Sequence, residues 1–309
     1  MKKWQHLCIR KTKKAYFYIS NLNIQIIMTT NWVKYSALVI VSIALATTSC
    51  KKDEEDEKID NETTTAQDNA LAQNIFDDMK KVVEEAVEND TTSKISFSFG
   101  TCATVTVNPA WADTATWPKT VTIDFGTTNC TGINGVKRRG KLVVNLTGKY
   151  RNQGSVLTVY PTNYYVNDYL VEGTKTITNL GRNTANNLQF SVNVSNAKIT
   201  SPSGEVSTWN STRTNEWVEG ESTIGLLNLC DDVYLISGSA NGVSRTGKPY
   251  TVNITSPLRK QICCRWIVSG TLVISPTGLL NRTIDFGSGA CDNSATITIA
   301  GNTFTFAMN

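Results

Sequence analysis

The chain has 309 residues, and its 30 Lys and Arg side chains against 26 Asp and Glu give a formal net charge of +4. Seven of those basic residues and no acid fall within residues 1–49, so the remainder carries 23 basic and 26 acidic residues. That remainder lacks the basic excess of a nucleic-acid-binding domain. The single histidine is His6, so the same remainder lacks the side chain on which Ser-His-Asp catalysis and histidine-ligated zinc depend.

The first predicted element is a secretory leader that ends at Cys50. Lys34 precedes an apolar run from Tyr35 to Ala46, and Thr47-Thr48-Ser49-Cys50 follows it, which is the order of a signal peptide with a small-residue cleavage site. The run is shorter than the roughly 20 residues of a membrane-spanning helix. A cysteine at the cleavage point resembles the site at which bacterial lipoproteins receive a diacylglycerol on the thiol.

Residues 1–49 are therefore interpreted as leader and signal peptide. Residues 1–27 are interpreted as a misassigned start, because Met28 gives a basic region of ordinary length. The stretch Lys51–Glu57, rich in Asp and Glu, resembles the export tag of surface lipoproteins in Bacteroidota. We expect lipidation of Cys50, attachment to the cell outer membrane through this lipid anchor, and exposure of the chain at the surface.

Two segments are expected between Cys50 and the main domain. Residues 50–68 are acidic and polar, a composition typical of a disordered tether. A short amphipathic helix is predicted over residues 69–89, with Asp68 as its N-cap. This helix either docks its apolar stripe on the following domain or ends the tether. The apolar residues at helical spacing are Leu71, Ile75, Met79, Val82 and Ala86.

From residue 93 to residue 309 the apolar period changes from 3.6 to 2, which is typical of half-buried antiparallel strands. We therefore predict an all-β domain, a large antiparallel meander that forms a sandwich or a strongly curved sheet. Turns are predicted at Asn134-Gly135, Asn241-Gly242 and Gly301-Asn302, the last inside a terminal hairpin. The clearest alternating runs are 121–125, 142–146, 190–194, 272–274, 297–299 and 304–306.

Six cysteines follow Cys50, and an even number in an exported chain predicts disulfides. They are Cys102, Cys130, Cys230, Cys263, Cys264 and Cys291. No Cys-x-x-Cys pair occurs, so a thiolate metal site is disfavoured, and neither a metal nor a cofactor is predicted.

An internal similarity suggests one disulfide pairing. Thr122–Gly126 recurs as Thr283–Gly287 at an offset of 161 residues, and the same offset relates two pairs of cysteines. One interpretation is a domain of two related halves, with bridges Cys102–Cys130, Cys263–Cys291 and Cys230–Cys264. The other interpretation is coincidence in a sequence rich in Thr and Gly.

Several segments of the β domain resemble uncharacterised β-rich surface lipoproteins of Bacteroidota. The resemblance covers most of residues 94–309 and implies a β fold and a surface location, but no activity. The segments are Val171-Glu172-Gly173-Thr174, Trp217-Val218-Glu219-Gly220, Cys230-Asp231-Asp232, Val268-Ser269-Gly270-Thr271, Ile284-Asp285-Phe286-Gly287 and Cys291-Asp292-Asn293.

Two carboxylates occupy equivalent places in the internal similarity. Asp124 and Asp285 each lie at a strand end, one residue before an aromatic residue and a glycine. A pair of carboxylates suits glycoside hydrolysis or calcium binding. The interpretation we favour is that each Asp accepts hydrogen bonds from the amides of its own turn.

Two tryptophans form the candidate ligand site. Trp111 and Trp117 lie in a loop-like segment with Pro118, whereas Trp217 and Trp266 lie in strand patterns and are expected in the core. Flat aromatic rings stack on sugar faces. We therefore expect a non-catalytic role in binding or structure at the cell surface, with a glycan or a surface protein as partner. The alternative is a carboxylate-dependent glycan hydrolase.

Overall fold

The fold is known from a computed structural model that describes residues 60, 62–88, 98–223 and 230–308. Within these residues, the helix α1 (Thr64–Glu88) precedes the strands. The strands are β1 (Thr104–Asn108), β2 (Lys119–Asp124), β3 (Cys130–Thr131), β4 (Lys137–Leu146), β5 (Val156–Val166), β6 (Tyr169–Arg182), β7 (Leu188–Thr200), β8 (Val206–Glu219), β9 (Val233–Val243), β10 (Pro249–Gln261), β11 (Ser269–Pro276), β12 (Arg282–Ser288), β13 (Ser294–Ile299) and β14 (Asn302–Ala307).

All 14 strands form one antiparallel sheet, which confirms the predicted all-β class and the meander. The order is sequential from β1 to β14, except that the short β3 pairs with β4 beside β2. Alternation sets the faces: in β2, Val121 and Ile123 are buried while the intervening residues are half-buried. The terminal hairpin is confirmed as β13 and β14, and Ala300 and Gly301 make its turn with positive φ angles of 51° and 85°.

In helix α1, burial extends beyond one apolar stripe to polar and charged side chains. Sixteen of its 25 residues are buried, and they include Asp68, Lys80, Glu84 and Glu85 as well as the apolar residues. The helix contacts β2, β8 and β11, which are widely separated in the strand order. A sheet that touches one helix through such distant strands must curve around it, so the helix belongs to the core of the sheet.

The predicted start of the helix was wrong. The helix begins at Thr64, not at residue 69, because the Glu62 carboxylate accepts hydrogen bonds from the Thr65 amide and hydroxyl, both at 3.0 Å, and so caps the first turn. Asp68 is therefore inside the helix. Its carboxylate is 1% exposed and binds the Arg245 amide at 2.7 Å and the Arg245 guanidinium at 3.0 Å. Burial raises the pKa of Asp68.

Buried cations recur across the sheet. In the described strands they lie one to a strand, and from β4 to β12 they occupy every second strand. Lysine and arginine are almost never fully buried unless their charge is paired. The six are Lys119 on β2, Arg138 on β4, Lys175 on β6, Arg213 on β8, Lys260 on β10 and Arg282 on β12.

The helical segment supplies acceptors to four of these cations, namely Arg138, Arg282, Lys175 and Arg213. Arg138 forms an ion pair with Asp78, and Arg282 lies 2.6 Å from the Asp60 carboxylate that precedes the helix. Lys175 donates to the Phe76 carbonyl at 2.5 Å, and burial lowers its pKa to about 8. Polar and charged contacts thus hold the helix inside the sheet together with its apolar face.

The guanidinium of Arg213 is less well paired than the other three cations. Its side chain makes one long hydrogen bond of 3.4 Å to Gln73, and its Nε and Nη1 have no partner among the described residues. Burial lowers the pKa of Arg213 to about 10. This guanidinium bears a desolvation cost that its contacts do not offset.

The six cysteines after Cys50 are all disulfide-bonded, but two of the predicted pairings were wrong. Cys102–Cys130 is confirmed with a Cα–Cα distance of 5.8 Å. The other bridges are Cys230–Cys263 and Cys264–Cys291, with Cα–Cα distances of 4.8 and 5.7 Å. Cys263 and Cys264 lie in a turn after β10, where Cys263 is exposed and Cys264 is buried. Different partners were correctly expected, but the 161-residue offset does not assign them.

The predicted turn at Asn241-Gly242 was also wrong, because both residues lie inside β9. A Cβ at Gly242 would lie 2.2 Å from the Thr208 carbonyl oxygen of the adjacent strand. The glycine therefore permits close approach of two strands, and the turn follows at Ser244–Gly247.

The leader over 1–49, Cys50 and the tether up to residue 59 lie outside the described residues. Residue 60 and residues 62–68 of the predicted tether are instead part of the capped start of α1 or of the helix itself. Across the described part of the chain, no helix has the length and apolar character needed to cross a membrane.

Arg138 and Arg213 differ in pairing, and we expect their replacement by methionine to have different effects on stability. Arg138→Met leaves the Asp78 carboxylate without its partner, and we expect it to lower the free energy of unfolding by about 3–5 kcal/mol. Arg213→Met removes a poorly satisfied buried charge and should be neutral or stabilising by about 1–4 kcal/mol. Denaturant unfolding of both variants provides the measurement, and equal destabilisation would contradict the assignment.

Candidate functional site: an indole cavity

The loop between β1 and β2, residues 109–118, is built around Asp113. The Asp113 Oδ1 accepts hydrogen bonds from the amides of Ala115 and Thr116 at 3.1 and 2.9 Å. Its own amide donates to the Ala110 carbonyl at 3.0 Å. Hydrogen bonds from Thr116 lower the pKa of the Asp113 carboxyl. These bonds give the loop a defined conformation that presents both of its tryptophans.

Lys119, the first residue of β2, holds this loop from beneath. Its side chain is 1% exposed, and its Nζ donates to the carbonyls of Ala110 at 3.0 Å and Asp113 at 2.5 Å, with Pro109 at 3.4 Å. The ammonium lies 5.9 Å from the Trp111 ring centroid and 5.2 Å from that of Trp117. Both distances are within the range of a cation–π interaction, so one buried charge fixes two indoles and the backbone between them.

The two indoles line one side of a cavity of about 210 Å³, which we call the indole cavity. Their ring centroids are 6.4 Å apart and their planes are tilted by 54°. Both rings are half-buried and pack against the core with one part of their surface. The remaining lining is Thr114 and Lys119, the helix end at Val87 and Glu88, Leu146 at the end of β4, and residues 149–152 of the β4–β5 turn.

The far side of the cavity is fixed by an ion pair. The Arg151 Nε lies 2.8 Å from the Glu88 Oε1, and the Arg151 Nη1 donates to the Glu221 carbonyl at 2.8 Å. Its guanidinium also lies 4.6 Å from the Trp217 ring centroid. Because Glu88 ends α1, this pair joins the helix end to the β4–β5 turn.

Lys149 is the charged residue of the cavity lining whose side chain has no partner among the described residues. It is exposed, and its ammonium forms no hydrogen bond or ion pair with the described residues. The cavity therefore combines two aromatic faces, an apolar floor at Val87 and Leu146, and a free cation at its rim.

The predicted ligand-binding residues Trp111 and Trp117 thus lie together in one cavity, although they are half-buried and not fully exposed. Lys119, Lys149 and Glu88 were missed. A lysine directly after a loop with two tryptophans is a local signal for Lys119, but Glu88 and Lys149 meet the loop only through the tertiary fold. Trp217 is 2% exposed, as expected, whereas Trp266 is half-buried.

Asp124 and Asp285 are not brought together on neighbouring strands. Asp124 accepts a hydrogen bond from the Gly126 amide at 2.9 Å, and Asp285 accepts one from the Gly287 amide at 2.8 Å. These are the turn contacts that the sequence favours. Asp124 also forms an ion pair with Lys141 at 2.8 Å, and neither carboxylate lines the indole cavity.

A second cavity of about 160 Å³ lies between α1 and the turn after β10. Its carboxylates are engaged, since Asp78 pairs with Arg138 and both oxygens of Asp77 accept from the Gln73 amide at 2.9–3.0 Å. Among the described residues no group of three or more His, Cys, Asp or Glu side chains has an arrangement suited to a metal ion.

A buried acid, Asp232, lies near the C-terminal end of α1. Asp232 is 6% exposed and accepts a hydrogen bond from the Trp217 Nε1 at 3.2 Å. Burial, with smaller contributions from Glu84, Asp231 and Glu88, raises the pKa of Asp232 to about 7. This carboxyl therefore titrates near neutrality.

Comparison of the chain with protein-family models, with curated proteins and with solved structures finds no match in any of the three.

Replacing Lys119 should disorder the tryptophan loop. Lys119→Met removes the donor to three carbonyls and the cation between the indoles, and we expect the free energy of unfolding to fall by about 1–3 kcal/mol. Amide hydrogen exchange at Asp113 should accelerate. The matched control is Lys141→Met on the adjacent strand, an exposed lysine whose ion pair contributes little. Similar effects from both variants would contradict this role of Lys119.

Asp232 should make stability depend on pH. Because its folded pKa of about 7 lies above the roughly 3.9 of an unfolded Asp, the folded state binds more protons between these values, and stability falls as pH rises through that window. The slope is at most about 1.4 kcal/mol per pH unit. Asp232→Asn should flatten it and stabilise the protein at pH 8, as measured by thermal unfolding against pH. Asp231→Asn should keep most of the slope, because Asp231 makes only a smaller contribution to the raised pKa of Asp232. An unchanged slope in Asp232→Asn would refute this assignment.

Proposed function

We propose that this protein is a lipid-anchored protein of the outer-membrane surface that binds a carbohydrate in the indole cavity without cleaving it. The observation that carries the proposal is the pair of indoles, Trp111 and Trp117, fixed 6.4 Å apart at a cavity by the buried ammonium of Lys119. A side-chain pair held in this way is organised before any ligand arrives, which lowers the ordering cost of binding.

The lining suits a sugar ring. The faces of a sugar carry C–H groups that pack on aromatic rings, while its hydroxyls require hydrogen-bonding groups at the rim. The cavity offers two indoles together with Thr114, Lys149 and Asn152. Its volume of about 210 Å³ is small, which favours one ring at the end or branch of a glycan over a buried chain.

The sequence around Cys50 supports the proposed lipid anchor and location. The signal-peptide pattern ends at this cysteine, and an acidic stretch follows it. Three disulfides are consistent with an oxidising compartment outside the cytoplasm.

The described lining of the cavity contains no pair of carboxylates, which favours binding over hydrolysis. Glycoside hydrolysis uses two carboxyl groups about 5–9.5 Å apart across the scissile bond. Glu88 is the carboxylate among the described lining residues, and Arg151 engages it. A hydrolase would need a second acid at this cavity, so cleavage is the alternative that the experiment must measure.

The test is a glycan-array and calorimetric screen of the full-length chain in detergent, with released sugar assayed in the same samples. We expect binding without release. Trp111→Ala or Trp117→Ala should weaken binding about tenfold, because each removes an aromatic contact of about 0.5–1.5 kcal/mol and the apolar area that the ring buries.

The matched control is Tyr160→Ala, which removes an aromatic side chain that is 43% exposed on β5, outside the cavity. It should leave binding unchanged. Release of sugar would transfer the protein to the hydrolases, and the absence of binding to any glycan would refute the proposal and favour a protein partner or a structural role.

A further inference from the structure

We infer that the sugar bound in the indole cavity carries a negative charge, as a carboxylate or a sulfate, and that Lys149 recognises it. This inference rests on the proposed function, since it specifies the ligand of the same site.

The charge of the lining is one-sided. Three cations and one carboxylate line the cavity among the described residues. Arg151 and Glu88 form an ion pair with each other. The Lys119 ammonium is oriented toward three loop carbonyls. Lys149 is left as the cation whose hydrogen-bonding capacity is free for a ligand.

Lys149 is mounted on a fixed turn. Its carbonyl accepts a hydrogen bond from the Asn152 amide at 2.9 Å, and the Asn152 carbonyl accepts one from Ser155 at 3.1 Å. The next residue is anchored as well, because the Asn179 amide group donates to the Tyr150 carbonyl at 3.1 Å and Tyr150 stacks on Phe190 at 4.9 Å. The backbone thus holds the base of Lys149 at the rim while the ammonium keeps its reach.

Five cations elsewhere on the surface of the sheet differ from Lys149, because they lie in ion pairs with carboxylates of neighbouring strands or turns. These pairs leave little charge to attract a ligand. They are Arg139–Asp168, Lys141–Asp124, Arg182–Glu221, Lys198–Glu172 and Arg259–Glu219.

The aromatic walls increase the effect of this charge. Indoles and the apolar groups of Val87 and Leu146 exclude water from one side of a bound ring, and a charge pair at such a boundary interacts more strongly than in bulk water. A carboxylate or sulfate offers two or three acceptor oxygens to the three N–H groups of Lys149. A neutral sugar of the same shape would keep the stacking and lose this contact.

The experiment compares matched oligosaccharides on the full-length chain in detergent. The probes are an oligogalacturonate, the same oligosaccharide after reduction of its carboxyl groups, a sulfated oligosaccharide, and inorganic sulfate alone. We expect an anionic sugar to bind about tenfold more tightly than the neutral one, and inorganic sulfate to bind weakly because it has no ring to stack. The preference should weaken as salt rises from about 0.05 to about 0.5 M.

Lys149→Gln should abolish the preference for charge, so that the charged and the neutral oligosaccharide bind equally to this variant. The matched control is Lys137→Gln, an exposed lysine at the opposite end of β4, which should change nothing. Equal binding of charged and neutral sugars, lost in Trp111→Ala, would overturn the inference and keep the proposed function. If Lys149→Gln and Lys137→Gln lose the preference for charged sugars equally, the attraction is a general property of the surface and the inference is overturned. If no sugar binds, both the inference and the proposed function are refuted.

Discussion

The structure depends on the burial of a charged helix inside a curved sheet. In a helix that packs on one face of a sheet, polar residues remain on the solvent side. Helix α1 instead buries Asp68, Lys80, Glu84 and Glu85 together with its apolar residues. Each buried charge loses its hydration, and this cost is offset only where a partner of opposite charge or a hydrogen-bonding group is in place. Asp68 is paired with Arg245, and Glu84 with Lys80 and Tyr150. The cations on alternate strands bind other groups of the helical segment, Asp78 and the Phe76 carbonyl among them, so helix and sheet are each incomplete alone.

This constraint explains which features the sequence predicts. Alternation of apolar residues is local, and it identified the antiparallel meander and the terminal hairpin correctly. The apolar stripe also identified α1. Its burial was missed, because a polar residue such as Glu84 has the same appearance in a sequence whether it meets water or, as here, Lys80 and Tyr150. Complementary charges that lie 60 or more residues apart, such as Asp78 and Arg138, leave no periodic signal.

The same distinction holds at the candidate site. The tryptophan loop was predicted as a ligand-binding loop from local features, and the turn contacts of Asp124 and Asp285 were predicted from the glycines that follow them. The cavity itself was not predictable, because Glu88 comes from the helix and Lys149 from a turn between other strands. Disulfide partners have the same character: neighbouring Cys263 and Cys264 separate to different partners, and the spacing of similar segments does not determine which.

The buried helix α1, which precedes the strands in the chain, also forms part of the cavity. Residues Val87 and Glu88, at the C-terminal end of α1, form part of the cavity, and Arg151 joins Glu88 to the opposite turn. The N-terminal end, where Glu62 caps the first turn, lies about 37 Å away along a helix of 25 residues. That end is also the one closer in sequence to Cys50. A displacement of α1 would therefore remove one wall of the cavity and at the same time expose the partners of its charges. The cavity can keep its shape only while the helix stays packed inside the sheet.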